Sequence, residues 1–160
     1  MIFKTATLVD DYDWIYSEDD ALDSSGEDFA TEYAAAMETA DASRLKLLPG
    51  QKPALWRIRH VRGMAKKVLT EHVIKHMVEG QYRFGMPSCY LAVQLALVGC
   101  RDLVDDLGVE VEIPTHFSKE YNSQIVTETF MREINEIHSG RLVNEMGSWV
   151  ISRLSASKNS

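Results

Sequence analysis

The sequence has little cysteine and no long apolar run. Its two cysteines, Cys89 and Cys100, lie in one apolar stretch and cannot build a disulfide framework. No apolar run approaches the roughly 20 residues that a membrane-spanning helix needs. The first residues, from Met1 to Trp14, lack the basic start and apolar centre of a signal peptide. We therefore expect a soluble protein of a reducing compartment, with both thiols filling its core.

Basic residues are in the minority, and the formal net charge is −7. General nucleic-acid binders and binders of anionic membranes need clustered positive charge, so this balance argues against both classes. The charge is also uneven along the chain. Twelve acids and one base lie between Met1 and Asp41, whereas eight bases and two acids lie between Lys52 and Arg83. The two regions could attract each other within a subunit or between neighbouring copies, or remain solvated surfaces that never meet.

Sequence motifs of common enzymes are missing as well. The chain has no G-x-S-x-G nucleophile motif, no G-x-x-x-x-G-K-[ST] phosphate loop and no G-x-G-x-x-G dinucleotide motif. Asp102, Asp105 and Asp106 precede Gly108, but their spacing does not match a calcium-binding loop. No pair of acids stands out for hydrolysis. The pattern therefore identifies no catalytic residue.

The sequence contains a mixture of helical and strand patterns. A chain of 160 residues with 45% apolar and 26% charged residues fits one domain with a core of its own. We predict an α+β fold that is mostly helical: a single compact domain with a few short strands, a buried central helix and a C-terminal helical hairpin. Its parts are an acidic N-terminal arm over residues 1–26, a globular domain over residues 27–156 and a polar tail over residues 157–160.

Helices and strands alternate in the first half. Loose alternation predicts a strand from Ile2 to Val9, and an alanine-rich pattern predicts a helix over residues 27–42. The stretch over residues 54–61 alternates strictly, which predicts a half-buried strand with Arg57 and Arg59 together on its outer face. A helix from Met64 to Glu79 follows.

The centre of the chain is the apolar stretch from Gly85 to Pro114. We predict a buried helix that begins at Pro87 and continues through Val98. Counted along one helix, Cys89 and Cys100 would lie roughly 16 Å apart, too far for a mutual disulfide. Alternation over residues 109–113 then predicts a short strand.

The pattern of caps, turn residues and apolar spacing in the C-terminal third predicts the helical hairpin. Ser123 is expected to cap the first helix, and Ser139 with Gly140 turns the chain. The second helix runs from Arg141 to Leu154, and Arg141 with Glu145 forms an i,i+4 pair on it.

Two regions are candidates for binding a protein partner. An arm that carries aromatic residues among acids often docks on another surface, of its own chain or of a partner. The basic group before and within the second helix could bind phosphates or receive the acidic arm of a neighbouring subunit. In a chain of net charge −7 we favour the protein partner. The predicted partner-binding residues are Trp14, Tyr16, Asp19, Asp20, Arg57, Arg59, Arg62, Lys66 and Lys67.

Histidines give the other candidate site. His72 and His76 are spaced i,i+4, which places two imidazoles on one helix face as zinc requires, and His60 could approach them in space. The order E-H-x-x-x-H differs from the H-E-x-x-H of metalloproteases. We therefore interpret the pair as two histidines at the border of an apolar stripe. A metal-dependent or nucleic-acid-processing enzyme built on the three histidines is an alternative, and so is a nucleic-acid-binding regulator that uses Arg57 to Lys67.

Several short segments, spread over most of the chain, are similar in sequence to segments of one group of proteins. They are Asp19–Asp23, Leu47–Pro53, Trp56–Arg59, Ala96–Gly99, Asp105–Gly108 and Lys158–Ser160. In these segments the chain resembles small proteins that are encoded among the structural and assembly genes of tailed bacteriophages. The resemblance implies a role in virion assembly as a structural, connector or decorating protein, or as a tail assembly chaperone. That group has no catalytic residues to carry over.

The expected function is therefore that of a non-enzymatic phage virion structural or morphogenesis protein. It would act through protein–protein contacts in a multi-copy assembly, such as a component of the head, neck or tail. Its expected partners are other virion or assembly proteins and further copies of itself, with no membrane, no cofactor and no bound metal ion. Its expected location is the virion or the host cytoplasm.

Overall fold

A computed structural model describes residues 11–39, 41–77 and 86–154. It confirms the predicted fold class, because helices predominate and the short strands pair in two small antiparallel sheets. The helices are α1 (Phe29–Thr39), α2 (Gly63–Lys75), α3 (Met86–Ala96), α4 (Glu128–Asn135) and α5 (Arg141–Ser152). The strands are β1 (Asp11–Trp14), β2 (Leu55–Arg59), β3 (Leu97–Arg101), β4 (Thr115–Ser118) and β5 (Ser123–Val126).

The larger sheet has the strand order β1-β2-β3, with both pairs antiparallel. Asp11 lies opposite Arg59, and Leu55 lies opposite Arg101. The strict alternation over residues 54–61 is confirmed by β2, whose residues Trp56 and Ile58 are buried. In the smaller sheet β4 pairs with β5.

Helix α3 lies at the centre of the core. Every residue over positions 91–97 is buried, which confirms the predicted central helix. Its partner is α5, whose residues Leu142, Met146 and Val150 form the predicted buried stripe. The two helices pack closely because Gly147 of α5 faces the backbone of Cys89.

The end of the central helix was predicted incorrectly. α3 ends at Ala96, and Leu97 already belongs to β3. Cys100 therefore lies on a strand, opposite Trp56 of β2, and its thiol donates a hydrogen bond of 3.0 Å to the Val111 carbonyl. From Leu97 onward, pairing with β2 satisfies the backbone groups in place of the hydrogen bonds of a longer helix.

Two further predictions of secondary structure are wrong. Residues 109–113 form no ladder strand, and the bridge between Val104 and Glu110 is isolated. Ser123 does not cap a helix, since it begins β5 and pairs with Ser118 of β4. The cap of α4 is Thr127 instead, whose hydroxyl accepts a hydrogen bond from the Phe130 amide.

The remaining helix predictions hold within the described residues. The alanine-rich helix is α1 and the basic helix is α2, although both are shorter than predicted. The turn at Ser139 and Gly140 is also present, and α5 follows it. The strand predicted from Ile2 to Val9 and the polar tail lie outside the described residues. Within the described part of the chain, no helix is both long enough and apolar enough to cross a bilayer.

The close approach of α3 and α5 predicts a severe effect of Gly147→Ala. A Cβ atom on Gly147 would lie 2.5 Å from the Cα and 2.6 Å from the Cβ of Cys89, which forces the two helices apart. We expect a loss of about 1–3 kcal/mol in the free energy of unfolding, measured by urea denaturation. Gly26→Ala is the control, because a Cβ atom there meets nothing within 4 Å. Equal stability of the two variants would contradict the close packing.

Candidate interaction surface

Two aromatic residues of the N-terminal arm are buried in the core. Trp14 is 1% exposed and Tyr16 is 5% exposed. Trp14 lies opposite Trp56 in the pairing of β1 with β2, and its ring stacks with that of Tyr16 at a centroid distance of 6.2 Å. The predicted docking therefore takes place on the same chain. Neither side chain is available to a partner in this fold, which corrects their assignment as partner-binding residues.

Acids of the same segment bind within the subunit. Asp13 forms an ion pair of 2.6 Å with Arg101 and lies 4.0 Å from Arg57. Asp19 accepts hydrogen bonds from the amides of Ala21 and Ala54. Its neighbour Asp20 is exposed.

Glu145 of α5 holds the acidic N-terminal segment against the domain through hydrogen bonds. Its two carboxylate oxygens accept hydrogen bonds of 2.9 Å from the Ser17 amide and 2.7 Å from the Ser17 hydroxyl. Tyr33 donates to the same carboxylate at 2.8 Å and to the Ile15 carbonyl at 2.6 Å. Burial, with the charge of Glu145, raises the pKa of Tyr33. The predicted pair of Arg141 with Glu145 is therefore wrong, because Glu145 has other partners.

Arg141 belongs to a cluster that the sequence did not reveal. Its guanidinium lies 2.9 Å from Glu18, which also accepts a hydrogen bond of 2.7 Å from Tyr16 and lies 3.1 Å from the imidazole of His138. The hydrogen bond from Tyr16, together with Arg141 and His138, lowers the pKa of Glu18 below its usual value. His138 and Ser139 both have left-handed backbone conformations, with φ of 48° and 55°. More than a hundred residues separate Glu18 from its basic partners, so no local pattern could predict the cluster.

Arg59 does not extend from the outer face of β2 as predicted. Its guanidinium donates to the Leu95 carbonyl at 2.9 and 3.0 Å, to the Ser123 hydroxyl at 2.5 Å and to the Gln124 carbonyl at 2.6 Å. Burial lowers the pKa of Arg59. Arg59 therefore joins β2 to the end of α3 and to the smaller sheet. Only Arg57 of the predicted pair is exposed.

The remaining basic residues lie where α2 begins. Arg62 precedes the helix and makes no side-chain capping bond, and the first turn contains no acid. Arg62 and Lys67 are exposed, and Lys66 is half-buried. Met64, also in the first turn, is 50% exposed. Positive side chains at the positive end of a helix dipole create a local excess of positive charge.

A cleft of about 550 Å³ opens beside this helix start, and we call it the basic cleft. Its volume falls within the roughly 300–1,000 Å³ of typical binding pockets. Two residues on its inner side, Val61 and Ala65, are buried and apolar. The cleft is lined by Asp11, Arg59, His60, Val61, Arg62, Gly63, Met64, Ala65, Val98, Tyr121, Asn122 and Ser123.

The three candidate metal ligands do not converge. His60 forms a hydrogen bond of 2.6 Å with the Tyr12 hydroxyl. His72 and His76 stack at a centroid distance of 4.1 Å, and the Nδ1 atom of His72 lies 2.9 Å from the Ser88 hydroxyl. Burial, followed by the charges of His76 and Lys75, lowers the pKa of His72. Among the described residues, no three His, Cys, Asp or Glu side chains are grouped as a metal site would need.

A second exposed feature follows β3, and we call it the acidic tip (residues 102–110). Asp102, Asp105 and Asp106, whose spacing does not match a calcium-binding loop, are all exposed here. The apolar residues between them are exposed as well: Val104 by 58%, Leu107 by 83% and Val109 by 59%. Leu107 belongs to no periodic pattern, so its exposure could not be predicted from the sequence.

The lowered pKa of Glu18 predicts how stability depends on pH. Because folding lowers this pKa, the ionised carboxylate favours the folded state above its ordinary pKa of about 4.3, and this contribution is lost as the pH falls below that value. Glu18→Gln should therefore be less stable than the wild type at pH 7, and the difference should shrink towards pH 3. Urea denaturation at both pH values measures it.

The control for this prediction is Asp20→Asn. It removes an exposed carboxylate from the same segment but leaves the bonds of Glu18 with Tyr16, His138 and Arg141 in place. A stability difference between wild type and Glu18→Gln that stays constant from pH 7 to pH 3 would contradict the role given to the ionised carboxylate.

Comparison of the chain with protein-family models, with curated proteins and with solved structures found no match. The geometry of the surface and the resemblance in the sequence are therefore the basis on which a function can be proposed.

Proposed function

We propose that this protein is a non-enzymatic virion structural or morphogenesis protein of a tailed bacteriophage. It acts through protein–protein contacts in a multi-copy assembly of the head, neck or tail. The phage setting is supported by the resemblance in segments such as Leu47–Pro53 and Asp105–Gly108. The proposed action through protein–protein contacts is supported by the apolar and charged side chains exposed on the surface.

The observation that carries the proposal is the exposure of large apolar side chains on charged parts of the surface. Leu107 is 83% exposed among the aspartates of the acidic tip, and Met64 is 50% exposed at the basic cleft. Exposed apolar side chains surrounded by charge are typical of protein interfaces, where the apolar part supplies affinity and the charge supplies specificity. A surface that binds nucleic acid chiefly needs positive charge.

Three side chains that could take part in chemistry are engaged inside the fold, which supports a structural role. Cys89 is fully buried, and burial raises the pKa of its thiol, so the nucleophilic thiolate is disfavoured. His60 is hydrogen-bonded to Tyr12. Arg59 is held by backbone carbonyls and the Ser123 hydroxyl.

The second candidate function is a nucleic-acid-binding regulator that uses Arg57 to Lys67. Arg62 and Lys67 are exposed beside a cleft, which favours this function. Against it, Arg57 lies beside Asp13 and Arg59 is turned inward, so the five basic residues do not form one continuous phosphate-binding surface. We therefore favour a protein partner.

Charge reversal at the basic cleft tests the proposed function. In cells that produce the phage whose genome encodes the protein, we expect the wild type to be found in purified particles or assembly intermediates in multiple copies. The double variant Arg62→Glu/Lys67→Glu should lower this incorporation at least several-fold, because it reverses the charge of the docking surface. Quantitative mass spectrometry of the particles measures it.

The matched control is Lys52→Glu/Lys75→Glu, which makes the same change of charge at two exposed positions away from the start of α2. Its incorporation should equal that of the wild type. Absence of the wild-type protein from particles and intermediates would contradict the proposal. Tight, salt-dependent DNA binding that the Arg62→Glu/Lys67→Glu variant abolishes would favour the regulator instead.

A further inference from the structure

We propose that the partner of the basic cleft is a second copy of this chain, whose acidic tip enters it. The association is head to tail, since each copy has one tip and one cleft. This inference rests on the proposed function and deepens it, because it names the contact through which copies join.

The acidic tip exposes large apolar side chains among acids, a composition that is typical of a protein interface whose partner is absent from the single copy. Val104, Leu107 and Val109 expose 58%, 83% and 59% of their surfaces. Burial of a large aliphatic side chain removes apolar surface from water, which favours association. The exposed acids around these side chains would direct them to a positively charged surface. These acids are Asp102, Asp105, Asp106 and Glu110.

The tip is held in shape by its own hydrogen bonds. One carboxylate oxygen of Asp105 accepts bonds of 2.9 Å from both the Leu107 amide and the Val109 amide. Gly108 has a φ of 76°, a left-handed conformation that glycine adopts without strain. The backbone amide of Val111 donates to the Leu103 carbonyl at 2.8 Å, which closes the base of the turn. Leu107 is therefore presented by an ordered turn, so that little conformational entropy is lost when it docks.

The basic cleft complements the tip in charge and in polarity. Arg59 and Arg62 line the cleft together with one acid, Asp11, so its lining has a net positive charge, to which the N-terminal end of the α2 dipole adds. Val61 and Ala65 supply buried apolar surface, and the exposed Met64 lies at the edge. Leu107 fits the apolar part, and the tip carboxylates fit the positive part.

The topology places the tip and the cleft at opposite ends of one sheet. The cleft contains residues that follow Arg59, the last residue of β2, whereas the tip follows Arg101, the last residue of β3. These two strands are antiparallel, and Arg101 lies opposite Leu55, the first residue of β2. The four steps between the first and the last of the five residues of β2, at about 3.3 Å each, separate the two ends by about 13 Å.

Because of this separation, a tip cannot occupy the cleft of its own copy without breaking the sheet. It can occupy the cleft of the next copy. The two contacting surfaces differ, so the association repeats and forms a ring or an open filament rather than a closed dimer. Rings and filaments are the forms in which multi-copy assemblies grow.

The experiment uses two full-length variants that each disable one side of the contact. Leu107→Asn replaces the exposed leucine by a polar side chain of similar shape at the tip. Met64→Glu places a negative charge at the cleft, in the first turn of α2 where glutamate suits the helix dipole. Ile74→Asn is the matched control, since Ile74 is 65% exposed on α2 and lines neither surface.

Analytical ultracentrifugation over a range of concentrations gives the expected result. The mass of the wild type and of Ile74→Asn increases with concentration, and the association weakens as salt is added. Leu107→Asn and Met64→Glu each raise the dissociation constant by about tenfold to 100-fold. An equimolar mixture of these two variants associates with wild-type affinity but stops at the dimer, because only one intact tip and one intact cleft meet.

Three outcomes overturn the proposal: a Leu107→Asn variant that associates like the wild type, a mixture that associates no better than its components, or a wild type that stays monomeric and binds DNA or another phage protein through the cleft. Incorporation into particles separates this failure from failure of the proposed function. A protein that is incorporated into particles but does not associate head to tail retains the proposed function. A protein that associates as expected but never enters particles retains the head-to-tail contact.

Discussion

The contact between α3 and α5 is the interaction on which the rest of the structure depends. It is possible because Gly147 lacks a side chain where α5 meets the backbone of Cys89. α3 then supplies anchoring groups to the elements around it. The Leu95 carbonyl at its end receives Arg59 of β2, and the Gln94 amide donates to the Val126 carbonyl at the end of β5 and to Glu128 of α4. Both sheets and α4 are thus positioned relative to one buried helix.

α5 extends this arrangement to the first part of the chain. Glu145 holds Ser17 and Tyr33, and Arg153 donates to the carbonyls of Met37 and Glu38 at the end of α1. α1 contains no basic residue in its last turn, so Arg153 supplies the positive charge that complements the dipole there. The acidic segment before α1 is therefore part of the folded core, although its composition alone suggested an arm.

Elements with a clear period could be predicted from the sequence. The alternation around Trp56 and Ile58 identified β2, and the helical spacing of Leu142, Met146 and Val150 identified α5. Residues 91–98 are apolar except for Gln94 and show no clear period, so the sequence could not show that the helix ends at Ala96 and a strand begins. Residues 123–126 form a strand because β4 pairs with them, and no local propensity reports such a partner.

The candidate site shows the same division between local and long-range information. The sequence identified the basic residues near α2, because composition and order are local. It could not show that Arg59 is turned toward Leu95 and Gln124, since that orientation depends on acceptors 36 and 65 residues away. Nor could it show that Leu107 is exposed, because exposure is set by where the turn lies in the fold.

The pairing of charges inside the subunit changes which acids remain for a partner. Asp13 is paired with Arg101, and Glu18 is paired with Arg141, so part of the acidic N-terminal region is neutralised within the fold. The tip aspartates lie beyond β3, where Asp105 accepts hydrogen bonds from the amides of its own turn. Asp20, Glu27 and Asp28 of the N-terminal region remain exposed, so both that region and the tip present negative charge. In the head-to-tail association that we propose, the tip and the basic cleft lie at opposite ends of the same sheet, and electrostatic steering would bring the tip of one copy to the cleft of the next.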